Sequence, residues 1–266
     1  MSEKITSTGN QKIKDLMKLN RPAERKIKNQ FIIEGFREVQ LALKVKAGIV
    51  SIYICPEIIA QSVPDYHKFF TDEQHVIEVS REVYRKIAYR DDSNGIIAVA
   101  EISKKLLSEI KPGDNPLIIV LESVEKPGNL GAVLRTADAA NVDAVIICDP
   151  QTDIFNPNVV RSSLGCLFTN QVASCSNQQA LEWLKANDIT LFAAAITKSS
   201  VPYHKENYKI PSAIIMGTEA TGLSEFWLKH ADKKIIIPMS GKVDSLNVST
   251  STAILVYEAK RQRDFM

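Results

Sequence analysis

The chain has 266 residues, 45% of them hydrophobic and 24% charged, which excludes general disorder and collagen-like or low-complexity architecture. At about 150 residues per domain this length predicts one large domain or two small ones, two being preferred. Net charge is only +2 but unevenly spread. Residues 1–30 carry eight Lys/Arg (Lys4, Lys12, Lys14, Lys18, Arg21, Arg25, Lys26 and Lys28) against Glu3, Asp15 and Glu24, a net +5 that leaves −3 for the remainder. A basic segment on a slightly acidic body is an electrostatic footprint for phosphates, with a solvated helix face as the plain alternative.

No apolar run approaches the roughly 20 residues of a membrane-spanning helix, and Met1-Ser2-Glu3-Lys4 offers no apolar signal core. A cytoplasmic protein with no membrane partner is expected. Cys55, Cys148, Cys166 and Cys175 form no C-x-x-C pair, and the four histidines form no H-x-x-x-H pair. Free thiols and no metal site follow.

In chain order, the first unit opens at Asn10 with a basic amphipathic helix, Ile13, Leu16 and Met17 falling at helical spacing with lysines opposite. Residues 30–34 read as a strand and 37–46 as a helix, which Gly48 punctuates. Strands at 50–55, 75–79 and 95–100 alternate with helical stretches at 56–60 and 81–87, giving a small βαβ-type sandwich. Charged residues from Glu101 onward lead into Lys111-Pro112-Gly113-Asp114-Asn115-Pro116, which stops any helix. This predicts domains at 1–108 and 115–266. Beyond the boundary, unbroken apolar runs at 117–121, 144–148, 191–196, 213–216 and 234–237 suit a parallel sheet covered on both faces. A last helix over about 248–263 closes the chain.

None of the eleven glycines is spaced G-x-G from another, so the dinucleotide fingerprint and its Gly-rich first turn are missing, as is a Walker A loop. A cofactor would need another arrangement. Three segments of the second unit are unusual as structure. In the first, Pro127-Gly128-Asn129-Leu130-Gly131 opens a helix in which Leu130, Val133, Leu134 and Ala137 share one face and Arg135 another. Asn129 is placed to cap this helix, and a capped N-terminus near a guanidinium can hold an anion. Equally, Asn129 is merely a cap and Arg135 a surface residue.

The second segment, Met216-Gly217-Thr218-Glu219-Ala220-Thr221-Gly222-Leu223, runs from a buried strand into a polar loop. Gly217 would let a ligand approach the backbone, and Glu219 offers a carboxylate at the C-terminal edge of the sheet. A turn with a helix-capping acid is the alternative. The third, Ile237-Pro238-Met239-Ser240-Gly241-Lys242-Val243-Asp244-Ser245-Leu246-Asn247-Val248-Ser249, is dense in hydroxyls and amides before a helix starting at Asn247 or Ser249. Such a loop suits backbone recognition of a ligand.

Together and in this order, N-L-G-x-x-x-R-T-A, G-x-E-x-x-G-L and I-P-M-x-G-x-x-x-S-L-N-V-S resemble the motifs of the SpoU (TrmH-like) RNA 2′-O-ribose methyltransferases of the SPOUT superfamily. The resemblance covers roughly residues 115–264, and the first unit, with Phe31-Ile32-Ile33-Glu34-Gly35, looks like the substrate-binding domain of this family. It implies an α/β protein: a C-terminal, trefoil-knotted, mostly parallel sheet domain that binds S-adenosylmethionine, with a smaller N-terminal α/β domain. By similarity the cofactor is held by loops around Gly217, Ile237 and Leu246, with Met239 nearby, and the protein is a homodimer with its RNA site built across the interface. The resemblance makes Arg135 central, surrounded by Asn129, Glu219, Ser245 and Asn247. A guanidinium is effectively always protonated, so Arg135 is expected to clamp a phosphate and stabilise developing oxyanion charge.

The resemblance also raises Lys12, Lys14, Lys18, Arg21 and Arg25 to candidate RNA contacts. Ribosomal RNA is the preferred substrate and transfer RNA the second. A non-catalytic RNA-binding or ribosome-assembly factor is the competing class, and a small-molecule methyltransferase is disfavoured by the basic N-terminal unit. One departure from the family pattern is the polar Thr250-Ser251-Thr252, which puts packing of the last helix and the dimer contact in question.

Overall fold

A computed structural model describes residues 3–70, 74–89 and 94–265. Met1, Ser2 and Met266, the outermost residues of the two expected domains, lie outside the described residues. In chain order the regular elements begin with β1 (Glu3–Ile5), α1 (Gln11–Lys18), α2 (Pro22–Lys28), β2 (Gln30–Glu34), α3 (Phe36–Lys44), β3 (Ile49–Ile54), α4 (Pro56–Ser62), β4 (Val76–Val79), α5 (Arg81–Ile87) and β5 (Ile96–Glu101). They continue with β6 (Leu117–Glu122), α6 (Pro127–Ala139), β7 (Ala144–Cys148), α7 (Pro157–Ser162), α8 (Cys166–Thr169), β8 (Val172–Cys175) and α9 (Asn177–Ala186). The last are β9 (Thr190–Ala194), β10 (Val201–Pro202), β11 (Ser212–Met216), α10 (Glu225–His230), β12 (Lys233–Ile236) and α11 (Val248–Gln262).

Two compact units divide the chain. The first takes the described residues of 3–103 together with Asp153–Thr169, and the second takes Lys104–Thr152 and 170–265. A single cut between 108 and 115 leaves out this excursion. Residues 153–169 lie inside the second span but pack on the first unit, where Phe31 meets Phe155 and Phe168 at centroid distances of 4.8 and 6.2 Å.

The first unit holds a five-stranded sheet in the order β1-β4-β3-β5-β2. β1–β4 and β3–β4 pair in parallel, whereas β5 runs antiparallel to both β3 and β2. The basic N-terminal stretch forms two helices. The Asn10 side chain caps the first by accepting from Lys12 N at 2.9 Å, which buries Ile13 and Leu16 against the sheet core. The second starts with Pro22 at its first position and ends at Asn29, a left-handed residue with φ 51°.

Arg25, expected to meet RNA, is instead part of the interior at 1% exposure. Its Nε donates to Asp153 Oδ2 at 2.7 Å, and its Nη1 donates to the Leu19 and Asn20 carbonyls at 2.8 and 3.0 Å. The residue closes the turn between α1 and α2 and anchors Asp153. Lys12 and Lys18 are exposed but paired with Glu3 and Asp15 at 2.5 and 2.9 Å. Lys14 and Arg21 are exposed.

In the second unit seven strands form an all-parallel sheet in the order β10-β12-β9-β11-β6-β7-β8. Every residue of β6, β7 and β11 is buried, which is why these strands read as unbroken apolar runs. One face buries Ile118, Val120, Ile146 and Ile215 with Leu181 and Leu184 of α9 and Trp227 of α10. α11 packs against α6 and β11.

The polar Thr250-Ser251-Thr252 is accommodated within α11. Thr252 is buried, and its hydroxyl is satisfied by donating to the Val248 carbonyl at 2.7 Å. Arg263, just past the helix, donates to the carbonyls of Tyr208, Asn115, Pro116 and Ile210 and fixes the end of the chain to the sheet's N-terminal edge. Among the described residues no helix is long and apolar enough to cross a membrane.

Candidate active site

The loops that follow β6, β11 and β12 lie at the C-terminal ends of parallel strands, where open α/β sheets place ligands. The loops after β9, β11 and β12 and the start of α11 enclose a cavity of about 390 Å³, within the range of small-molecule sites, and the loop after β6 lies beside it. Gly217, Ile237, Met239 and Leu246, the four residues expected around a cofactor, all line it, as do Ser245 and Ser251. Among the described residues, 239–246 make no backbone–backbone hydrogen bond, so their amides and carbonyls remain available to a ligand.

Gly217 is glycine for another reason than ligand approach. A Cβ there would lie 2.2 Å from the backbone carbon and oxygen of Gly222. The loop folds back on itself, with Thr218 N donating to Gly222 O at 3.0 Å and Gly222 N to Thr218 O at 3.1 Å. Gly222 itself has φ +71°. This tight return aims Glu219 away from the strand.

Glu219 is the hub of a polar cluster. Its Oε1 accepts from Asn129 Nδ2 and from Asn247 Nδ2, both at 2.7 Å, and its Oε2 pairs with the Lys126 ammonium. Asn247 Nδ2 also reaches Asn129 Oδ1 at 3.1 Å, while Asn247 Oδ1 caps α11 by accepting from Ser249 N at 2.9 Å. The Lys126 ammonium first, and the Asn129 amide second, hold the Glu219 carboxyl below its ordinary pKa. The loop after β6, the loop after β11 and the start of α11 are thereby tied through one carboxylate.

Asn129 reaches this cluster because it does not cap its helix. α6 starts one turn earlier, with Lys126 as N-cap residue and Pro127, whose fixed φ suits the position, first in the helix. Asn129 sits in the first turn with its side chain free to bond Glu219. Ser245 is on the cavity wall, but its hydroxyl donates to Asp244 at 3.3 Å and does not join the cluster.

Arg135 does not join it either. It is exposed, and among the described residues no hydrogen bond or ion pair holds its guanidinium. Six residues along an α-helix amount to roughly 600°, so Asn129 and Arg135 leave α6 on different sides. The expected arrangement, with Arg135 at the centre of the other four, does not form within one chain.

Sequence reasoning missed the residues beneath the loop. Glu122 ends β6 as a buried carboxylate that accepts from Asn177 Nδ2 at 2.9 Å, Ser224 N at 2.8 Å and Ser224 Oγ at 2.6 Å. Asn177 Oδ1 in turn accepts from Trp227 Nε1 at 2.7 Å. Glu122 thus pins Ser224, where the Gly217–Leu223 loop returns to the sheet. An acidic residue closing an otherwise apolar strand was the one available signal.

An all-parallel sheet with a ligand cavity at its C-terminal edge and a polar cluster on the rim is the arrangement of an α/β enzyme that binds a small cofactor. Comparison with known proteins gives the family. Residues 116–257 match the SpoU rRNA methylase family, and residues 10–98 match the MRM3-like substrate-binding domain. The chain belongs to the SpoU rRNA methylase family. It is 31% identical over 261 residues, 97% of this chain and 99% of the other, to the 23S rRNA (guanosine(2553)-2′-O)-methyltransferase RlmP of Bacillus subtilis. A crystal structure of an RNA 2′-O ribose methyltransferase superposes with a TM-score of 0.85 at 37% identity, covering 98% of this chain and 99% of that one. An AdoMet-bound rRNA methyltransferase from Sinorhizobium meliloti gives 0.87 at 29% identity, with 98% of each chain covered.

The resemblance drawn from the three motifs is borne out, as is the α/β class with a parallel sheet and a smaller N-terminal unit. Both the sheet and the site belong to the region that matches the methylase.

Proposed function

We propose that this protein transfers a methyl group from S-adenosylmethionine to a ribose 2′-hydroxyl of ribosomal RNA in the cytoplasm, 23S RNA first and transfer RNA second. The observation that carries this reading is the Glu219–Asn129–Asn247 cluster on the rim of a cavity lined by Gly217, Ile237, Met239 and Leu246. The cavity fits the cofactor. Ile235, Ile237 and Leu255 offer apolar walls for an adenosyl group, the 239–246 backbone offers unpaired amides, and Asp244 and Glu219 supply negative charge for a sulfonium and an ammonium. When bound, the cofactor supplies an electrophilic methyl carbon to the attacking 2′-oxygen.

The protein's own contribution is alignment. Glu219 draws Asn129 and Asn247 into one hydrogen-bonded cluster, which would fix where a ribose hydroxyl can sit, and such positioning supplies much of the rate of a displacement reaction. Lys126 and Asn129 favour the ionised form of Glu219, so the carboxylate keeps its charge to lower pH than an ordinary glutamate. Arg135 is the phosphate clamp. Lying exposed and unpartnered on another side of α6, it serves the site of a second copy in a homodimer, where a planar fork can grip the phosphate beside the target ribose. A C-terminal trefoil knot, which the family resemblance implies, suits a cofactor held by three loops rather than by a Gly-rich turn.

Binding of S-adenosylmethionine by calorimetry, followed by transfer of labelled methyl groups to transcripts of 23S RNA and transfer RNA, tests the reading. Cofactor binding with label in 23S RNA is expected. Binding without transfer to either RNA would favour the non-catalytic scaffold.

A further inference from the structure

Three of the five basic residues read as RNA contacts are engaged elsewhere: Arg25 is buried on Asp153, Lys12 is paired with Glu3 and Lys18 with Asp15. The first unit nevertheless matches a substrate-binding domain. It carries a different feature suited to RNA, at the end of α5. Tyr89 is 59% exposed, although the Arg161 guanidinium covers one face of its ring at 4.3 Å from the centroid. The exposure therefore falls on the opposite face and edge.

The backbone that carries the ring is held. Tyr89 N is bonded by both carboxylate oxygens of buried Glu34, each at 3.1 Å. Arg161 is fixed by donation from Nη2 to Asn158 Oδ1 at 2.7 Å, and Asn158 N is itself bonded to Asn156 Oδ1, the cap of α7. Among the described residues no carboxylate pairs with Arg161. The excursion of residues 153–169 into the first unit is what delivers this arginine to a tyrosine far away in sequence.

An exposed aromatic face backed by a guanidinium is what an unpaired nucleotide needs: a π surface for the base and a cation for its phosphate. We propose that Tyr89 and Arg161 form a stacking platform that takes one unpaired base of the RNA substrate, with Glu34 as the positioning residue beneath it. A base stacked on Tyr89 polarises against the same ring that the guanidinium already faces, so the three groups form one continuous stack. The proposal rests on the RNA-methyltransferase reading and adds to it a contact made by the substrate-binding unit.

The test compares wild-type enzyme with Tyr89→Leu, Tyr89→Trp and Arg161→Gln in methyl transfer to an in-vitro-transcribed 23S RNA, measuring KM for RNA and for S-adenosylmethionine separately. Loss of one stacked base corresponds to about tenfold to hundredfold in affinity. Tyr89→Leu is expected to raise KM for RNA by that factor with KM for the cofactor unchanged, Tyr89→Trp to restore it, and Arg161→Gln to fall between. Ultraviolet irradiation of the wild-type complex should also leave a nucleotide covalently attached to the Tyr89 peptide. If wild type methylates RNA and Tyr89→Leu does so with the same KM for RNA, the platform is wrong while the enzymatic reading stands. If wild type neither binds nor methylates RNA, both fall.

Discussion

The side-chain amide of Asn247 donates to Glu219 Oε1 at 2.7 Å, the same oxygen that accepts from Asn129 Nδ2 at 2.7 Å. Two asparagines from the starts of two helices therefore share one acceptor on a third loop. Groups sharing a partner lose their effects non-additively when mutated. Asn129→Ala and Glu219→Gln should each lower kcat/KM by about tenfold to hundredfold, the double variant falling clearly short of the product by a coupling of about 1–2 kcal/mol. Steady-state kinetics of the four proteins in the cycle checks this, and strict multiplicativity would show that the cluster does not act as a unit.

Acid sensitivity follows from the same carboxylate. The Glu219 carboxyl has its pKa lowered, chiefly by Lys126 and next by Asn129. Its ionised contribution is complete above the unperturbed value of about 4.3 and is lost only as pH falls through the depressed one. Lys126→Met removes the largest cause, so the acid limb of the activity profile should move to higher pH, toward that unperturbed range. Profiles of kcat/KM between about pH 3.5 and 7 for both proteins decide it. An unmoved limb would detach Glu219 ionisation from catalysis.

Arg25 gives the opposite kind of prediction. A buried guanidinium with three hydrogen bonds and an ion pair to Asp153 is structural. Arg25→Ala should cost about 3 kcal/mol of stability, near the low end for a broken buried pair because Asp153 keeps some access to water. The salt dependence of RNA binding should not change. Urea denaturation and a salt titration measure the two separately.

Gly217→Ala places a methyl group 2.2 Å from the Gly222 backbone, a contact no side-chain motion can relieve. The Gly217–Leu223 loop must open, taking with it the rim of the cavity and Glu219. Loss of S-adenosylmethionine binding by at least about tenfold is expected, with the fold retained because the sheet below is untouched; calorimetry and circular dichroism report each part.

What could be read from residues alone divides along physical lines. Central strands such as β7 and β11, buried on both faces, leave continuous apolar runs, and these were legible. The strands that escaped, β1, β8 and β10, are three, four and two residues long and stand at sheet edges, where one-sided exposure breaks the apolar pattern. At the site, Asn129, Glu219 and Asn247 were legible through their motifs, and the structure brings them together. Lys126 was not, because an exposed lysine carries no signal of its partner. Arg25 misled for the same reason, since composition registers charge but not burial. The placement of Arg135 away from the cluster depends on where α6 begins, which Pro127, two residues before the presumed cap Asn129, sets.

The most direct measurement of the central claim is mass analysis of nucleosides after the enzyme, S-adenosylmethionine and an unmodified 23S RNA transcript have been incubated together and the RNA digested. A single nucleoside heavier by one methyl group on its ribose, with its linkage resistant to alkaline hydrolysis, is expected from wild type, and Arg135→Lys should lose most of this product because an ammonium cannot reproduce the bidentate fork. Methylation confined to a base, or equal product from Arg135→Lys, would contradict a ribose 2′-oxygen aligned by this site.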